Sequence, residues 1–247
     1  MAEGFANVPS PVVGGLVPFT TIDFPGKIAA VVFFQGCPWR CAYCSNPHLF
    51  QLREASARDV ESWGYVLDLL RRRTKALEAV VFSGGEAVAQ AEALIRAIDE
   101  IKAIHPYLIG LHTNGCYPDK LEAILPRLDW VGLDIKAPRE GGKYDEITKV
   151  EGSGEAAWKS LDLVIASGKL FECRTTADPR FLGREDILAI AGELGARGVK
   201  TYAVQRFRPP KKDAPDNPSQ GDIMQFFTDP AFEAELKRLV PEVIMRW

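Results

Sequence analysis

The sequence predicts an α/β fold: a partial (β/α)6 barrel of parallel strands enclosed by outer helices. The first observation is a series of continuous apolar, β-branched segments, which are typical of buried parallel strands. The second is that segments with a helical spacing of apolar residues lie between them, and this alternation indicates a parallel sheet. The third is that there are only six such strands, too few for a closed eight-stranded barrel. An open doubly wound sheet is the alternative.

The segment KIAAVVFF is the first of the six predicted strands. The residues after the last strand lack this apolar pattern. Residues 207–226 are rich in proline and polar residues, which predicts a loop. The predicted strands span residues 27–34, 77–83, 107–113, 129–136, 170–176 and 200–206. The predicted helices span residues 57–73, 89–103, 118–125, 153–167, 184–195 and 228–240.

Length and composition indicate a single domain and exclude several classes of protein. A chain of 247 residues, 47% of them hydrophobic, can bury a sizeable core. We expect one domain over 1–247, with its core at about 14–210 and a C-terminal loop and helix over 207–247. The net charge of -3 gives no reason to expect nucleic-acid binding. No apolar run approaches the roughly 18 residues of a membrane span, and the N-terminus lacks the features of a secretory signal. We therefore expect a cytoplasmic protein that binds neither nucleic acid nor membranes.

Three of the five cysteines lie close together, directly after the first predicted strand. Cys37, Cys41 and Cys44 have the spacing C-x3-C-x2-C. In a reducing compartment such a group favours a metal or catalytic site over disulfides, and thiolates select iron–sulfur clusters, zinc or Cu(I). A [4Fe–4S] cluster normally takes four thiolates, so three would leave one iron open to a substrate or cofactor. The alternative is a structural zinc site completed by His48 or a distant cysteine.

Polar residues follow the next two strands, at the end where the active sites of barrels lie. Asn114 follows the third strand and can both donate and accept hydrogen bonds, although Asn-Gly also favours a plain turn. His112 in the same strand is best explained as a satisfied polar residue. The second strand ends in a glycine turn, which lets the backbone approach a ligand closely or is an ordinary turn before a helix; it consists of Ser83, Gly84, Gly85 and Glu86.

Charged residues lie at the ends of the fourth and fifth strands. Asp134 and Lys136 are two residues apart, so their side chains point to the same face of a strand. Opposite charges there predict a ligand site or an ion pair at the rim. Arg174 shares a face with Thr176 and can either bind a carboxylate bidentately or serve in a structural pair.

The cysteine spacing, with the aromatic Tyr43 before the last cysteine, resembles that of the radical S-adenosylmethionine (SAM) superfamily. The resemblance implies one [4Fe–4S] cluster held by the three cysteines, with SAM chelating the open iron. It implies reductive cleavage of SAM to methionine and a 5′-deoxyadenosyl radical, which abstracts a hydrogen atom. The glycine turn resembles the family's Gly-Gly-Glu motif for the SAM amino group, with Ala87 in place of the usual proline. The resemblance implies that Lys136 contacts the SAM carboxylate and that Asp134 contacts it indirectly or helps hold a cation. Arg174 is a further candidate for the carboxylate, and Gln205 either reaches the ribose or adenine or is a rim residue. The candidate contacts to SAM are Tyr43, Ser83, Gly84, Gly85, Glu86, Asn114, Asp134, Lys136, Arg174 and Gln205.

The leader before the first strand resembles that of one branch of the superfamily. TIDFPG, residues 21–26, resembles the Thr-x-Asp-x-Pro-Gly leader of glycyl-radical-enzyme activases, although DFPG alone is only a turn. With CSNPHLF, FSGGE, LDIKAP and QRFRPP, the chain is most similar to the anaerobic ribonucleoside-triphosphate reductase activating proteins, over roughly residues 14–210. This implies a glycyl radical enzyme as partner, an anaerobic ribonucleotide reductase in the first place, and a flavodoxin or ferredoxin as electron donor. In the related pyruvate formate-lyase activating enzyme an aspartate corresponds to His112 and helps hold a cation, so a cation site here is left open.

Two other functions also fit the sequence. The chain is alternatively a radical SAM enzyme for another glycyl radical enzyme, peptide or small molecule, or a non-catalytic zinc or iron–sulfur protein. Cys116 and Cys173 are too few to hold a second cluster, and free cysteine often packs as a small apolar residue. We expect the 207–226 loop, with Lys211 and Lys212 on its surface, to border the entrance for a partner's loop.

Overall fold

The computed structural model describes residues 8–51, 62–209 and 215–247, and within these ranges eight strands form one sheet in chain order. The first pair of strands is antiparallel and every other pair is parallel. The α/β class is confirmed, and the six predicted strands are β2 to β7. The strands are β1 (Val13–Thr20), β2 (Ala29–Phe34), β3 (Ala79–Gly84), β4 (Leu108–Thr113), β5 (Trp130–Asp134), β6 (Leu170–Ala177), β7 (Thr201–Arg206) and β8 (Glu242–Arg246).

The two strands that the sequence analysis did not predict, β1 and β8, lie at the two edges of the sheet. β1 contains Gly14, Gly15 and Pro18, residue types that are depleted in strands. Proline is tolerated there because an edge strand has a neighbour on one side only. β8 is only five residues long and directly follows a helix. Both strands depend on pairing with a neighbour rather than on a strong pattern of their own.

Helices connect the parallel strands, as expected. The sequence did not predict the short helix α4 (Lys143–Thr148). The loop predicted over 207–226 is wrong for residues 220–224, which form the short helix α7. Ser219 caps α7 by accepting a hydrogen bond from the N–H of Asp222. Residues 57–61 of the first predicted helix, and Lys211 and Lys212, lie outside the described residues. The helices are α1 (Trp63–Arg72), α2 (Ala91–Ile104), α3 (Pro118–Ile124), α4 (Lys143–Thr148), α5 (Ser153–Ala166), α6 (Arg184–Ala196), α7 (Gln220–Met224) and α8 (Pro230–Leu239).

The two faces of the sheet bury different sets of residues. The outer face packs against the apolar faces of the helices and forms the main core. The inner face carries a smaller cluster, in which Phe24 of the leader packs against Trp130 with ring centroids 5.5 Å apart. Gly110 leaves room for this ring, because a Cβ there would lie 3.1 Å from Phe24. The leader therefore covers the inner face, and the polar residues gather at the carboxyl ends of the strands.

No helix in the described ranges is long and apolar enough to cross a membrane.

Candidate active site

The cysteine loop, residues 35–46, leaves the carboxyl end of β2 and is fixed by backbone hydrogen bonds to two other segments. The N–H of Cys37 donates to the carbonyl oxygen of Phe50 at 3.1 Å. The N–H of Ala42 donates to the carbonyl oxygen of Ile147, in α4, at 3.0 Å. The path of the loop is thus set by the protein itself.

The three thiols of this loop are partly exposed and free of disulfides. Burial raises the pKa of Cys37 to about 12, and it also raises the pKa values of Cys41 and Cys44. The negative charge of Glu86 also raises the pKa of Cys37, whereas the positive charge of Lys136 acts to lower the pKa of all three thiols. A bound metal cation would favour the three thiolates further. In the described part of the chain, no group of three or more cysteine, histidine or carboxylate side chains is arranged to hold a metal ion. The fit to an iron–sulfur cluster therefore rests on the type and spacing of the donors.

Tyr43 lies within this loop and is buried, with 7% of its surface exposed. Its ring packs edge-on against Phe181 at 6.5 Å between centroids, and Lys136 Nζ lies 5.7 Å from the ring centroid. Its hydroxyl is buried without a hydrogen-bond partner among the described residues. Leaving such a group unpaired costs roughly 1–3 kcal/mol. The hydroxyl is therefore an unsatisfied polar group close to the cysteine loop.

The glycine turn after β3 passes directly against the cysteine loop. Gly84 has a φ of +127°, and a Cβ there would lie 2.2 Å from the carbonyl oxygen of Phe34. A Cβ on Gly85 would lie 2.6 Å from the carbonyl oxygen of Gly36. Glycine is needed at both positions because two backbones meet here. Ser83, the first residue of the turn, is partly buried and in register with Phe33 of β2.

Glu86 does not face solvent at the edge of the turn, since only 1% of its surface is exposed. Its carboxylate accepts hydrogen bonds from the Thr113 hydroxyl and the Asn114 N–H, both at 2.8 Å, and from the Val88 N–H at 3.1 Å. Burial raises its pKa to about 7 despite these donors. The side chain therefore joins the ends of β3 and β4.

Asn114 and His112 lie at the end of β4 and have different surroundings. Asn114 is 7% exposed, and its Nδ2 lies 3.7 Å from the Sγ of Cys37. His112 Nε2 lies 3.0 Å from the carbonyl oxygen of Asp23, so this nitrogen carries the proton and donates it. Although the ring is partly exposed, protein packed around it lowers the pKa of His112 to about 3, and Arg174 contributes. His112 is thus a neutral, satisfied polar residue, which confirms that interpretation.

A single carboxylate lies between two cations at the ends of β5 and β6. Asp134 accepts from Lys136 Nζ at 3.1 Å and from Arg174, whose Nη2 is 2.8 Å from Oδ1. Gly132 makes room for the guanidinium, because a Cβ there would lie 2.8 Å from Nη1. Burial alone would raise the pKa of Asp134, but Lys136 and Arg174 outweigh it and hold this pKa at about 2. The group carries one unbalanced positive charge, so it can accept a second carboxylate.

Gln205, the last predicted ligand residue, is the next-to-last residue of β7 and is in register with Thr176 and Arg246. Arg246 of β8 introduces an ion pair that sequence reasoning missed. Its guanidinium binds Glu172 of β6 bidentately, at 2.6 and 2.8 Å, and Glu172 is only 2% exposed. A signal was available, because an acid two residues before Arg174 in a buried strand requires a partner.

The two remaining cysteines differ in their surroundings. Cys173 is fully buried on the outer face of β6, as expected of a small apolar residue. Cys116 is partly exposed, packs against the core and donates its N–H to Asn114 Oδ1 at 2.9 Å.

Residues 31–177 match the family described as the Radical SAM superfamily. A putative glycyl-radical enzyme activating enzyme of Methanocaldococcus jannaschii is 34% identical over 210 residues, which cover 83% of this chain and 82% of the relative. The pyruvate formate-lyase-activating enzyme of Clostridium pasteurianum is 34% identical over 153 residues, covering 56% of this chain and 62% of the relative.

Solved structures share the fold at low sequence identity. The structure of anSMEcpe with bound AdoMet has a TM-score of 0.61 and 15% identity, and covers 85% of this chain and 61% of its own. Methylornithine synthase (PylB) has a TM-score of 0.60 and 13% identity, and covers 88% of this chain and 63% of its own. The chain spans less than two thirds of these two structures.

Proposed function

The chain belongs to the radical SAM superfamily, whose members use a [4Fe–4S] cluster and SAM, and from this premise we propose that it generates a glycyl radical on a partner enzyme. The observation that carries the proposal is that three thiols free of disulfides lie within the electrostatic influence of Lys136, which belongs to a cation-rich ion group at the carboxyl ends of the strands. The similarity to relatives named as activating enzymes supports the reaction class. The partner that fits the sequence resemblance is an anaerobic ribonucleotide reductase.

When bound, the cluster and SAM supply a 5′-deoxyadenosyl radical that removes a hydrogen atom from a glycine of the partner. We assign the cluster to Cys37, Cys41 and Cys44. Lys136 and Arg174 are the proposed site for the SAM carboxylate, because together they carry more charge than Asp134 balances. Asp134 holds both cations in place before the ligand arrives, which lowers the cost of binding.

The glycine turn is suited to the amino group of SAM. The N–H groups of Gly85 and Glu86 already donate to the carbonyl oxygens of Phe34 and Gly36, at 2.9 and 2.8 Å. What the turn can offer a ligand is therefore carbonyl oxygen, and this accepts hydrogen bonds from an ammonium group. Further proposed contacts to SAM come from Tyr43, Ser83 and Gln205.

The partner's loop is proposed to enter beside the segment 207–226. The described end of this segment is tied to the rim of the site, because Arg180 binds buried Asp178 at 2.6 Å and Asp216 at 3.3 Å. The proposal also includes one domain over 1–247, a cytoplasmic location and electron delivery by a flavodoxin or ferredoxin.

The test is electron paramagnetic resonance (EPR) on anaerobically reconstituted, reduced protein, with and without SAM. We expect a [4Fe–4S] signal that changes shape on adding SAM. Cys37→Ser, Cys41→Ser and Cys44→Ser should each lose iron, while the matched variant Cys173→Ser should retain it. Bound zinc, or a cluster unaffected by SAM, would favour the non-catalytic alternative and refute the proposal.

The partner is tested separately with candidate glycyl radical enzymes from the same organism. An anaerobic ribonucleotide reductase and a pyruvate formate-lyase-type enzyme are each incubated with the reduced protein and SAM. A glycyl radical signal on the reductase alone is the expected result. A signal on the other enzyme alone would keep the reaction class and replace the partner.

A further inference from the structure

Asn114 is held so that only one end of its side chain can meet a ligand. Its backbone N–H donates to the Glu86 carboxylate at 2.8 Å, and its Oδ1 accepts from the N–H of Cys116 at 2.9 Å. Because Oδ1 is occupied by a donor, the orientation of the amide is set by the hydrogen bonds around it. The NH2 end then faces the Sγ of Cys37 at 3.7 Å, a distance at which the large sulfur atom accepts a hydrogen bond.

The turn that carries Asn114 is fixed by the protein on both sides. The N–H of Gly115 donates to the Thr113 hydroxyl at 3.1 Å, and that hydroxyl donates to Glu86. The carbonyl oxygen of Gly115 accepts from the Ser160 hydroxyl of α5 at 2.7 Å. Gly115 has a φ of +75°, and a Cβ there would contact Ser160 at 3.0 Å. The amide is therefore directed at the sulfur before any ligand binds.

A hydrogen bond to a ligand sulfur changes the electronic properties of an iron–sulfur cluster. Reduction adds one electron from an external donor and makes or breaks no bond, and the added negative charge spreads over the iron and sulfur atoms. A hydrogen bond to one of those sulfurs stabilises the reduced form more than the oxidised form and so raises the reduction potential.

We propose that Asn114 is a positioning residue that donates a hydrogen bond to the sulfur of Cys37 and raises the reduction potential of the cluster. This inference rests on the proposed function, since it requires a cluster on Cys37. It differs from the expectation that Asn114 contacts SAM, because it assigns the amide to the cysteine ligand.

Two variants remove the donor while keeping the turn. Asn114→Ser retains a side-chain oxygen for the Cys116 N–H but is too short to reach the sulfur. Asn114→Asp also keeps that acceptor and places a negative charge near Cys37. The control is Cys116→Ala, which keeps the backbone N–H that orients Asn114; burial strongly raises the pKa of the Cys116 thiol, so the control removes a neutral group.

The measurement is the midpoint potential of the reconstituted holoprotein without SAM, from an EPR-monitored titration with dithionite and mediators. We expect the potential to fall in Asn114→Ser, to fall further in Asn114→Asp and to stay at the wild-type value in Cys116→Ala. SAM affinity should be unchanged in Asn114→Ser. An unchanged potential with weakened SAM binding would overturn the inference and return Asn114 to the SAM contacts. A wild-type protein that takes up no cluster would instead refute the proposed function.

Wild-type protein tests the contact without any substitution. With 15N in the asparagine side-chain amides, pulsed EPR of the reduced cluster should show a 15N coupling. The coupling should persist in Asn46→Asp, which removes the label from the residue whose backbone N–H lies 3.4 Å from the Cys44 sulfur. Absence of the coupling in the wild-type protein would overturn the inference even if the Asn114 variants failed to fold.

Discussion

Replacing Asp134 by Asn tests whether this carboxylate is the balancing charge of the ion group. The substitution keeps the shape of the side chain but leaves Lys136 and Arg174, whose side chains are 10% and 9% exposed, without an anion. The two cations hold the pKa of Asp134 at about 2, against an ordinary value of 3.8. Since one pKa unit corresponds to about 1.4 kcal/mol, the folded state favours the ionised form by about 2 kcal/mol.

The expected effect is a loss of about 2 kcal/mol in the free energy of unfolding of the cluster-free protein at pH 7. Because the folded pKa is lowered, this stabilisation is present above pH 3.8 and is lost as the pH falls toward 2. The difference between wild type and Asp134→Asn should therefore shrink across that window. Chemical denaturation monitored by circular dichroism at pH 7, 4 and 3 measures it.

A surface pair provides the matched control. Asp68 binds Arg71 at 2.7 Å, but both side chains are more than half exposed. Asp68→Asn should cost less than about 1 kcal/mol, as exposed pairs do. Equal stabilities of Asp134→Asn and Asp68→Asn at pH 7, or a difference from wild type that does not change with pH, would refute this account of the ion group.

Three further predictions concern the glycine turn, His112 and Arg246. Gly84→Ala should lower the free energy of unfolding by more than about 3 kcal/mol, because φ is positive and the new Cβ would meet the Phe34 backbone. The control, Gly192→Ala, lies in open space on α6 and should be neutral or stabilising by up to about 1 kcal/mol. Equal melting temperatures of the two variants would contradict this. Because the pKa of His112 is lowered in the folded state, the stability that the neutral ring contributes is present above pH 6.5 and is lost as the pH falls. Between pH 7 and 5 the free energy of unfolding of the wild type should therefore fall by about 2 kcal/mol more than that of His112→Gln. The same pH dependence in both proteins would argue against it. Arg246→Ala leaves Glu172 buried and unpaired and should cost roughly 3 kcal/mol; adding Glu172→Gln should recover most of this, and no recovery would mean that packing of the arginine is what matters.

The parts of the fold that could be predicted from the sequence are those whose signal lies within one segment. A buried parallel strand is apolar on both faces, so β2 to β7 were visible as continuous runs. β1 was not, because Gly14, Gly15 and Pro18 interrupt its pattern and only pairing with β2 makes it a strand. β8 likewise depends on its neighbour β7. Edge strands are determined by tertiary contacts, and a short segment of sequence carries no information about these contacts.

The same distinction holds for the candidate site. The two-residue spacing of Asp134 and Lys136 predicted that their side chains share a face, and in the structure they form an ion pair. The direction of the Glu86 carboxylate could not be predicted, because its donors Thr113 and Asn114, at the end of β4, are 27 and 28 residues away in the sequence. The pairing of Glu172 with Arg246 requires β8, which was itself not predicted. Residue types at strand ends are thus readable from the sequence, whereas the partners across strands need the structure.

The ion group also bears on whether a monovalent cation is needed near SAM. A cation site requires carboxylate or carbonyl oxygens that are free to coordinate. Here both oxygens of Asp134 are taken up by Lys136 and Arg174, and His112 donates from a neutral ring to the Asp23 carbonyl. Positive charge from Arg174 at this point disfavours a second cation. We therefore expect SAM binding to the holoprotein to be the same in potassium, sodium and Tris buffers of equal ionic strength, as measured by the change in the EPR signal. A requirement for potassium would mean that Lys136 or Arg174 leaves Asp134 when SAM binds and so frees a carboxylate oxygen for the ion.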